Sequence, residues 1–504
     1  MQLTKNSEKD NFVAPKKNFL ALLSSVEIWE RFSFYGLQTI LILFLVNHLN
    51  FTDDIAYKLI ALYVALCFAF SAIGGFLIDK FIGTKILVIL GGMLILTGHT
   101  IMYFVQYNSE LIFFALGFIS TGSGLFKVSM TTLLGSCYKK GDVKANTGFT
   151  IFFMSINIGS TFAAFICPLI AQQYKMYHAL TTAGVGMLIS LVGFLLLQKS
   201  ILGTIGSEPS SKSKHKNILG IPSLLFIILL SLAFCFLSSY LLKNSDAVSE
   251  NILKYLGIPL LLYFIFVVSK SHKKQRVGMI FAAGIILFFC LFFAMEFLIA
   301  SVINLFCERH ITFNILGWNL PSATLQSINP FSIIIISTFF LTFIKEKSIK
   351  IYSQIWKMKI ALLCPFLCFF LIYIGCKNSE TSQISCMYII IGVSLIGLGE
   401  VCIAPFAQSQ MVLLAPNHLK GFVMSCLLFS LSYANYFTVL VGKFISINPT
   451  DNIQDSLKTY QEGFFKISMI QLVIFAIFII ISFICKKAGY FNIIDKQLVE
   501  TKST

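Results

Sequence analysis

Ionisable side chains inside apolar segments are the residues of this chain that could do chemistry. They are four carboxylic acids and two cations: Glu27, Glu30, Arg31, Lys127, Glu296 and Glu400. A charge at the centre of a bilayer costs at least ~2.5–3.5 kcal/mol, so such groups must face one another or a hydrated cavity. Full ionisation would leave a net charge of −2, so at least one carboxyl should carry a proton or titrate near neutral pH. This pattern predicts a polar interior that can load and unload a proton.

The first group is dense and lies in the run SSVEIWERFSFYGLQTILILFLV. Glu27 and Arg31 are spaced i, i+4, as are Arg31 and Tyr35, so these three side chains should share one helix face, with Glu30 on its flank. The alternative is a local ion pair that neutralises a wet helix end. Lys127 lies in FISTGSGLFKVSMTTLLG and should find Glu27 or Glu30 as its partner.

The glycines before Lys127, Gly122 and Gly124, would let another backbone approach. The alternative for Lys127 is a side chain that snorkels from a helix end to the interface.

The other polar candidates lie singly in apolar runs. Glu296 is the only charge in its run, and Glu400 precedes a helix-bending proline. Either could instead be a permanently protonated structural acid. Asn157 and Asn329 offer amide donors, or could form helix–helix hydrogen bonds. Tyr35 could simply pack.

The composition is that of a polytopic membrane protein. Of 504 residues, 57% are hydrophobic and 12% are charged, with a mean hydropathy of +0.84; a soluble domain carries about 25% charged residues. The formal net charge is +16, and most of the lysines and arginines lie in loops assigned to one side of the membrane. An excess of basic residues marks the cytoplasmic side and sets the orientation of the protein. Nucleic-acid binding is therefore not indicated. The 13 cysteines are scattered, and the pair Cys364 and Cys368 cannot hold zinc alone, so no metal or other cofactor is expected.

Apolar segments of about 20 residues predict fourteen transmembrane helices. They fall near 21–48, 55–79, 85–105, 110–137, 148–172, 177–198, 218–242, 252–269, 278–306, 325–345, 358–376, 386–414, 420–446 and 461–485. An even count places both termini on one side, and the basic segments then all fall on that side. This agreement predicts that both termini are cytoplasmic.

The spans are arranged as six, two and six, which predicts an all-α major facilitator fold of two bundles. The predicted divisions are a cytoplasmic tail (1–20), a first bundle (21–198), a linker (199–217), two additional helices with a basic loop (218–276), a second bundle (277–486) and a tail (487–504). The additional helices carry no charge at mid-span, so we expect them to pack at the periphery.

The loop between the second and third spans reads GGFLIDKFIGTK. Gly75 and Gly83 permit close helix approach and a tight turn, and Asp79 could cap a helix or pair with a cation such as Lys85. This segment resembles the signature loop of the major facilitator superfamily, in which its role is gating rather than substrate contact.

Six further segments resemble, in order, motifs of the proton-dependent oligopeptide transporter family within that superfamily. They are EIWERFSFYG, SGLFKVSMTTLLGSCY, GFTIFFMSINIGS, FFAMEFLIASVINLF, LPSATLQSINPFSIII and GEVCIAPF with the following LLAPNHLKG. The resemblance covers nearly the whole length, and bacterial members also insert two spans between the bundles. It implies a proton-coupled symporter that imports di- and tripeptides, with short peptides, protons and the lipid bilayer as partners.

The resemblance also implies residue roles. Glu27, Glu30, Arg31, Lys127 and Glu296 would form the proton-coupling network. The substrate-binding set would be Arg31, Tyr35, Lys127, Asn157, Asn329 and Glu400. Within that set the two cations would attract the peptide carboxylate and Glu400 would receive the α-amino group.

Several positions depart from the family pattern. Phe34 and Phe153 stand where tyrosines are expected, Phe297 replaces a glutamine and Leu427 a tryptophan; Val128 and Ser129 replace Pro-Asn. The lost polar groups would ordinarily line the cavity. The alternative substrate is therefore a non-peptide metabolite, such as an amino acid or a siderophore-like compound. The alternative direction of transport is export. A receptor or an intramembrane enzyme fits less well, because neither a signalling domain nor a nucleophile–base pair occurs. We expect the protein to be a monomer and not an enzyme.

Overall fold

The computed structural model describes thirteen stretches of the chain: residues 15–138, 144–208, 217–218, 221–246, 255, 258–270, 273–311, 313–315, 318–343, 351–379, 383–414, 420–445 and 453–491. Within them the structure is nearly all helix. The predicted fold class is confirmed by this helical content and by the structural matches reported below.

Six helices form a first group: α1 (Phe19–Asn47), α2 (Asp53–Lys80), α3 (Thr84–Phe104), α4 (Leu111–Ser136), α5 (Lys144–Gln173) and α6 (Met176–Leu202). In this bundle α1 packs against α5 and α6, and α4 packs against α2 and α3.

The residues at the start of α2 cap the helix. Thr52 accepts a hydrogen bond from Ile55 N, and Asp53 and Asp54 occupy the first turn, where acids complement the helix dipole.

Two helices follow in the middle of the chain, α7 (Ser223–Lys243) and α8 (Ile258–Lys270). The helix α7 packs on α4 through small residues, and a Cβ added to Gly117 would lie 2.8 Å from Cys235 O. Ion pairs between Lys243 and Glu110 (2.5 Å) and between Lys58 and Asp246 (2.7 Å) join this region to the first bundle. The helix α7 therefore lies on the outside of that bundle, as expected.

The second group comprises α9 (Lys273–Glu296), a π-helical turn (Ile299–Ile303), α10 (Asn304–His310), a 3-10 turn (Ser322–Ser327) and α11 (Ile328–Phe343). It continues with α12 (Ile351–Lys377), α13 (Cys386–Leu414), α14 (Lys420–Gly442), a short 3-10 turn (Lys443–Ile445) and α15 (Ile453–Lys487). Two small antiparallel hairpins pair β1 (Asn217–Ile218) with β2 (Ile221–Pro222), and β3 (Phe313–Ile315) with β4 (Trp318–Leu320).

Twelve segments of the described chain are long and apolar enough to cross a membrane. The other two predicted spans correspond to α1, which carries the three charges, and to α8, which is described over 13 residues. Some boundaries differ from the predictions. The helix α7 begins at Ser223 rather than 218, because the preceding residues form the first hairpin, and α15 begins at Ile453 rather than 461.

Parts of the predicted tails and connections lie outside the described residues: 1–14, 209–216, 271–272 and 492–504. The linker predicted from residue 199 starts inside α6, which continues to Leu202. The division into tails, bundles and linker stays a prediction.

The two bundles meet along α1, α2 and α5 of the first and α10, α11 and α14 of the second. We call the end where α1 begins the terminal end, and the end where α2 begins the distal end. Among the described residues, the hydrogen bonds between the bundles lie from mid-depth to the distal end. Asn304 and Gln326 donate to Thr39 O (2.8 and 3.0 Å), and Arg309 binds Asp53 through two bonds of 2.8 and 2.9 Å.

Candidate functional site

A buried ion cluster on α1 forms one side of the site. Arg31 contacts Glu30 through two hydrogen bonds, Nε to Oε2 at 2.5 Å and Nη2 to Oε1 at 2.7 Å, and its Nε lies 3.3 Å from Glu27 Oε1. All three side chains are at most 3% exposed. The i, i+4 contact of Glu27 was expected, but Glu30, which sequence reasoning placed on the flank, is the closer partner. Two acids share one cation here, and Glu27 Oε2 has no hydrogen-bond partner among the described residues.

The helix α5 holds this cluster in place. A Cβ added to Gly159 would collide with the carbonyl oxygen of Ile28 and lie 3.0 Å from Arg31 Cβ. Glycine is therefore required at this position, because any side chain would push α5 away from the turn that carries the charges. The motif that contains Gly159 and the motif that contains Arg31 are thus one packing unit.

Lys127 lies next to this cluster on α4. Gly122 and Gly124 allow the backbones of α3 and α2 to approach, since added Cβ atoms would lie 2.7 Å from Gly91 O and 2.8 Å from Cys67 O. This confirms the expected close packing. The Lys127 ammonium interacts electrostatically with Glu27 and Glu30.

Lys127 makes no close ion pair within the described residues, where no carboxylate oxygen lies within 4.0 Å of its Nζ. Its Nζ lies instead over the ring of Phe68, 4.8 Å from the centroid. The expected direct contact with Glu27 or Glu30 is therefore absent in this conformation. Lys127 is the cation of the site that is most available to a ligand.

The second bundle contributes two acids. Glu296 ends α9, immediately before the π-helical turn, and Glu400 lies on α13 five residues before Pro405. Both side chains are partly exposed to the interior, and they interact electrostatically. Asn329 Nδ2 donates to Glu400 Oε2 at 3.5 Å, and Asn329 Oδ1 has no hydrogen-bond partner among the described residues. A π-helical turn beside an acid is typical of functional sites.

Tyr35 brings the two sets of charges together. Its hydroxyl interacts electrostatically with Arg31 and Glu30 in the first bundle and with Glu296 and Glu400 in the second. The acids and bases predicted from separate segments therefore converge in one interior region. In that region the first bundle supplies both cations, Arg31 and Lys127, together with the acids Glu27 and Glu30. The second bundle supplies Glu296 and Glu400.

Asn157 Nδ2 donates one of its two N–H groups to Phe153 O of its own helix at 3.1 Å. The role of Asn157 in substrate binding stays a prediction.

The predicted gating loop lies at the terminal end. There Lys85 Nζ donates to Gly203 O at 2.5 Å, and a Cβ on Gly83 would meet Ser207 O at 2.5 Å. Gly75 packs near Val128, and the side chain of Asp79 is outside the described part of the chain.

Sequence reasoning missed two features of the site. The rings of Phe34 and Phe68 face the cations, with Arg31 Cζ 5.1 Å from the Phe34 centroid. The ion pair between Asp53 and Arg309 was also not predicted. Each residue lies at one end of a long apolar span, where a charged side chain is expected at the membrane interface. Within the described residues no group of three or more His, Cys, Asp or Glu side chains could hold a metal ion.

Two packed helical bundles with converging ionisable groups between them define a membrane carrier of the major facilitator type. A model of the POT family matches residues 82–461, which is more than half of the chain. The chain belongs to the POT family, which is a family of transporters.

Curated relatives match over most of their length. The chain is 29% identical to a dipeptide and tripeptide permease A of Cronobacter turicensis over 451 residues, 89% of each protein. It is 28% identical to the protein of the same name from Escherichia coli (strain K12), with 94% of this chain and 93% of the relative covered.

Solved structures match as well. A tetrameric crystal structure of PepTSo2 has a TM-score of 0.82 at 25% identity, covering 94% of this chain and all of that one. A POT family transporter in complex with 5-aminolevulinic acid has a TM-score of 0.77 at 27% identity, covering 93% and 98%.

Proposed function

We propose that this protein is a proton-coupled symporter that imports di- and tripeptides, or peptide-like compounds, by alternating access. The observation that carries the proposal is that Tyr35 interacts electrostatically with ionisable groups of both bundles, Arg31 and Glu30 in the first and Glu296 and Glu400 in the second. A short peptide with free termini is a zwitterion, so its carboxylate suits Arg31 and Lys127 while its ammonium suits Glu400. The permease names of the curated relatives support the peptide as substrate.

Proton coupling follows from the charge balance of the site. Arg31 is shared between Glu27 and Glu30, whereas Lys127 interacts with both acids at longer range. A substrate carboxylate that binds the two cations competes with these acids, which favours protonation of the acid that loses its partner. Glu296 and Glu400 repel each other when both are charged, so a proton on Glu296 leaves Glu400 free to bind the substrate ammonium. No other cofactor is needed for this cycle.

The same geometry supports alternating access. The bundles are held together toward the distal end by Asn304, Gln326 and the Asp53–Arg309 pair. Entry from the distal side requires these contacts to separate, which would move one bundle against the other. We propose that the distal end faces the periplasm of a bacterial inner membrane, with both termini in the cytoplasm, because the basic loops lie at the terminal end.

We further propose that one chain is the transport unit, because both sides of the site come from the same chain. The tetrameric crystal structure of a relative allows several such units to associate. The loop with Gly75, Asp79, Gly83 and Lys85 would act in gating, since its backbone and Lys85 hold the segment that follows α6.

A second candidate is transport of a small amino-acid-like metabolite. Phe34 and Phe68 cover the cations with apolar rings, and Phe153 and Phe297 stand where the family resemblance implies polar side chains that line the cavity. A relative with 27% identity was crystallised with 5-aminolevulinic acid, which also carries an amino group and a carboxylate.

Uptake into proteoliposomes with an inward proton gradient separates the two candidates. We expect unlabelled dialanine and trialanine to compete with labelled dialanine, and alanine and 5-aminolevulinic acid to compete poorly. No saturable uptake of labelled dialanine, together with saturable uptake of labelled alanine or 5-aminolevulinic acid, would favour the second candidate. We expect Glu296→Gln and Lys127→Ala to abolish gradient-driven uptake. The matched controls are Glu110→Gln and Lys243→Ala, which remove an exposed ion pair far from the site; their uptake should equal that of the wild type.

A further inference from the structure

A groove on the outside of the first bundle has no part in the transport site described above. It runs between α1 and α6 in the terminal half of the membrane and encloses a cavity of about 300 Å³. Its walls are mainly apolar and include Leu22, Val26, Trp29, Ile189, Gly193 and Leu197. We call it the α1–α6 groove.

The length of the groove matches one leaflet. Along α1 it extends from Asn18 to Trp29, roughly 16 Å at a rise of 1.5 Å per residue. On α6 it extends from Ile201 back to Ile189, roughly 18 Å by the same rise. Half of a hydrocarbon core is about 15 Å. The groove therefore begins at the interface and ends near the bilayer midplane, which is the depth that a lipid acyl chain occupies.

The mouth of the groove is basic. Lys16 and Lys17 precede α1, and the backbone N–H of Lys16 donates to Ile201 O at 3.1 Å, which fixes this segment at the mouth. The side chains of Lys16 and Lys17 are exposed, and Asn18 adds a polar group to the lining. This is an arrangement that recognises a phosphodiester held at the membrane surface.

We propose that the α1–α6 groove binds one acyl chain of an anionic phospholipid from the leaflet at the terminal end, with Lys16 and Lys17 beside its headgroup. Charge favours an anionic lipid over a zwitterionic one, and the length and apolar walls favour an acyl chain over a soluble ligand.

The groove wall also supports the site indirectly. Ser190 Oγ donates to Val26 O at 2.8 Å beside the turn that carries Glu27 and Glu30. A lipid in the groove would stiffen the part of α1 that holds the ion cluster.

Blocking the groove gives the first test. A Cβ at Gly193 meets no atom within 4 Å, so Gly193→Leu fills the groove without a clash. Gly284 on α9 has equally open surroundings and serves as the matched control. Detergent-purified protein is mixed with equal amounts of palmitoyl-oleoyl phosphatidylglycerol and phosphatidylcholine, and retained lipids are counted by native mass spectrometry. Wild type and Gly284→Leu should retain phosphatidylglycerol preferentially, and Gly193→Leu should lose that lipid.

The headgroup is tested by charge removal. Each lysine near an anionic surface contributes about a fivefold gain in affinity, so Lys16→Gln/Lys17→Gln should reduce the preference for phosphatidylglycerol by about tenfold or more. The control is Lys486→Gln/Lys487→Gln, at the end of α15, which should keep the preference. Equal retention of the two lipids by the wild type, or unchanged retention in Gly193→Leu, overturns the proposal. Neither result depends on which substrate the protein carries.

Discussion

The distal contact between Asp53 and Arg309 should control which side of the carrier is open. Asp53 is 1% exposed and receives two hydrogen bonds from Arg309, which is 25% exposed and also donates to the Tyr460 hydroxyl at 3.1 Å. Removing one partner of a fully buried ion pair costs ~3–5 kcal/mol. Because Arg309 is partly hydrated, we expect Asp53→Asn to destabilise the distally closed state by about 1–3 kcal/mol. That range corresponds to a shift of about 5–150-fold toward the distally open state.

The distance between the distal ends of the bundles reports this shift. Spin labels on non-natural amino acids at Ser109 and Asn378, which lie at the distal ends of opposite bundles, avoid the 13 native cysteines. Electron–electron double resonance should show a longer distance in Asp53→Asn than in the wild type. The exchange Asp53→Arg/Arg309→Asp should restore part of the short-distance population.

Glu110→Gln is the matched control, because its ion pair with Lys243 is exposed and does not join the two bundles. A distance distribution that Asp53→Asn leaves unchanged would refute the reasoning, since the pair would then contribute nothing to closure.

Three other substitutions test separate parts of the account. Glu400→Gln should weaken binding of peptides with a free amino group by about 10–100-fold, the value of a charged hydrogen bond, and should spare N-acetylated peptides; isothermal calorimetry measures both. Phe68→Leu should lower the affinity for peptides with a free carboxylate by about 2–30-fold, because a cation–π contact contributes about 0.5–2 kcal/mol. Phe68→Tyr should retain the wild-type affinity, and the affinity for peptide amides should be the same in all three proteins. Gly159→Ala should lower the melting temperature in detergent, because the added methyl group collides with Ile28 O; an unchanged melting temperature would contradict the packing described for α5.

The convergence of charges could be predicted from the sequence because membranes tolerate few alternatives. A carboxylate such as Glu296 in a long apolar run has no favourable position except the protein interior. The same constraint applies to Arg31, Lys127 and Glu400, so their meeting between the bundles follows from their presence alone. The helical fold was predictable for a related reason, since a helix satisfies its backbone hydrogen bonds internally.

Contacts within the site were less predictable, because they depend on rotamers and packing. Helix spacing favoured Glu27 as the partner of Arg31, yet the adjacent Glu30 reaches the guanidinium from the side and forms two bonds. Lys127 was assigned a carboxylate partner, but the ring of Phe68 occupies the position over its ammonium. Asn157 donates one amide N–H to a carbonyl of its own helix, a local bond that its spacing in the sequence did not indicate.

Helix ends were also displaced where local chemistry outweighed hydropathy. The segment 217–222 is apolar enough to extend a span. Residues 217–218 instead pair with residues 221–222, and α7 starts immediately after Pro222. The helix α15, in contrast, begins before its apolar stretch, at Ile453. Its polar first turns contain Ser456, which contacts His310, and Tyr460, which contacts Arg309.

Proton movement during substrate entry tests the central claim most directly. Proteoliposomes that contain the purified protein and the pH-sensitive dye pyranine are given dialanine on the outside, with no initial pH gradient. The account predicts internal acidification that requires the peptide, that persists in Glu110→Gln, and that is absent in Glu296→Gln and Lys127→Ala. Entry of labelled dialanine into wild-type proteoliposomes without any acidification would contradict it, because the converging acids would then carry no proton with the substrate.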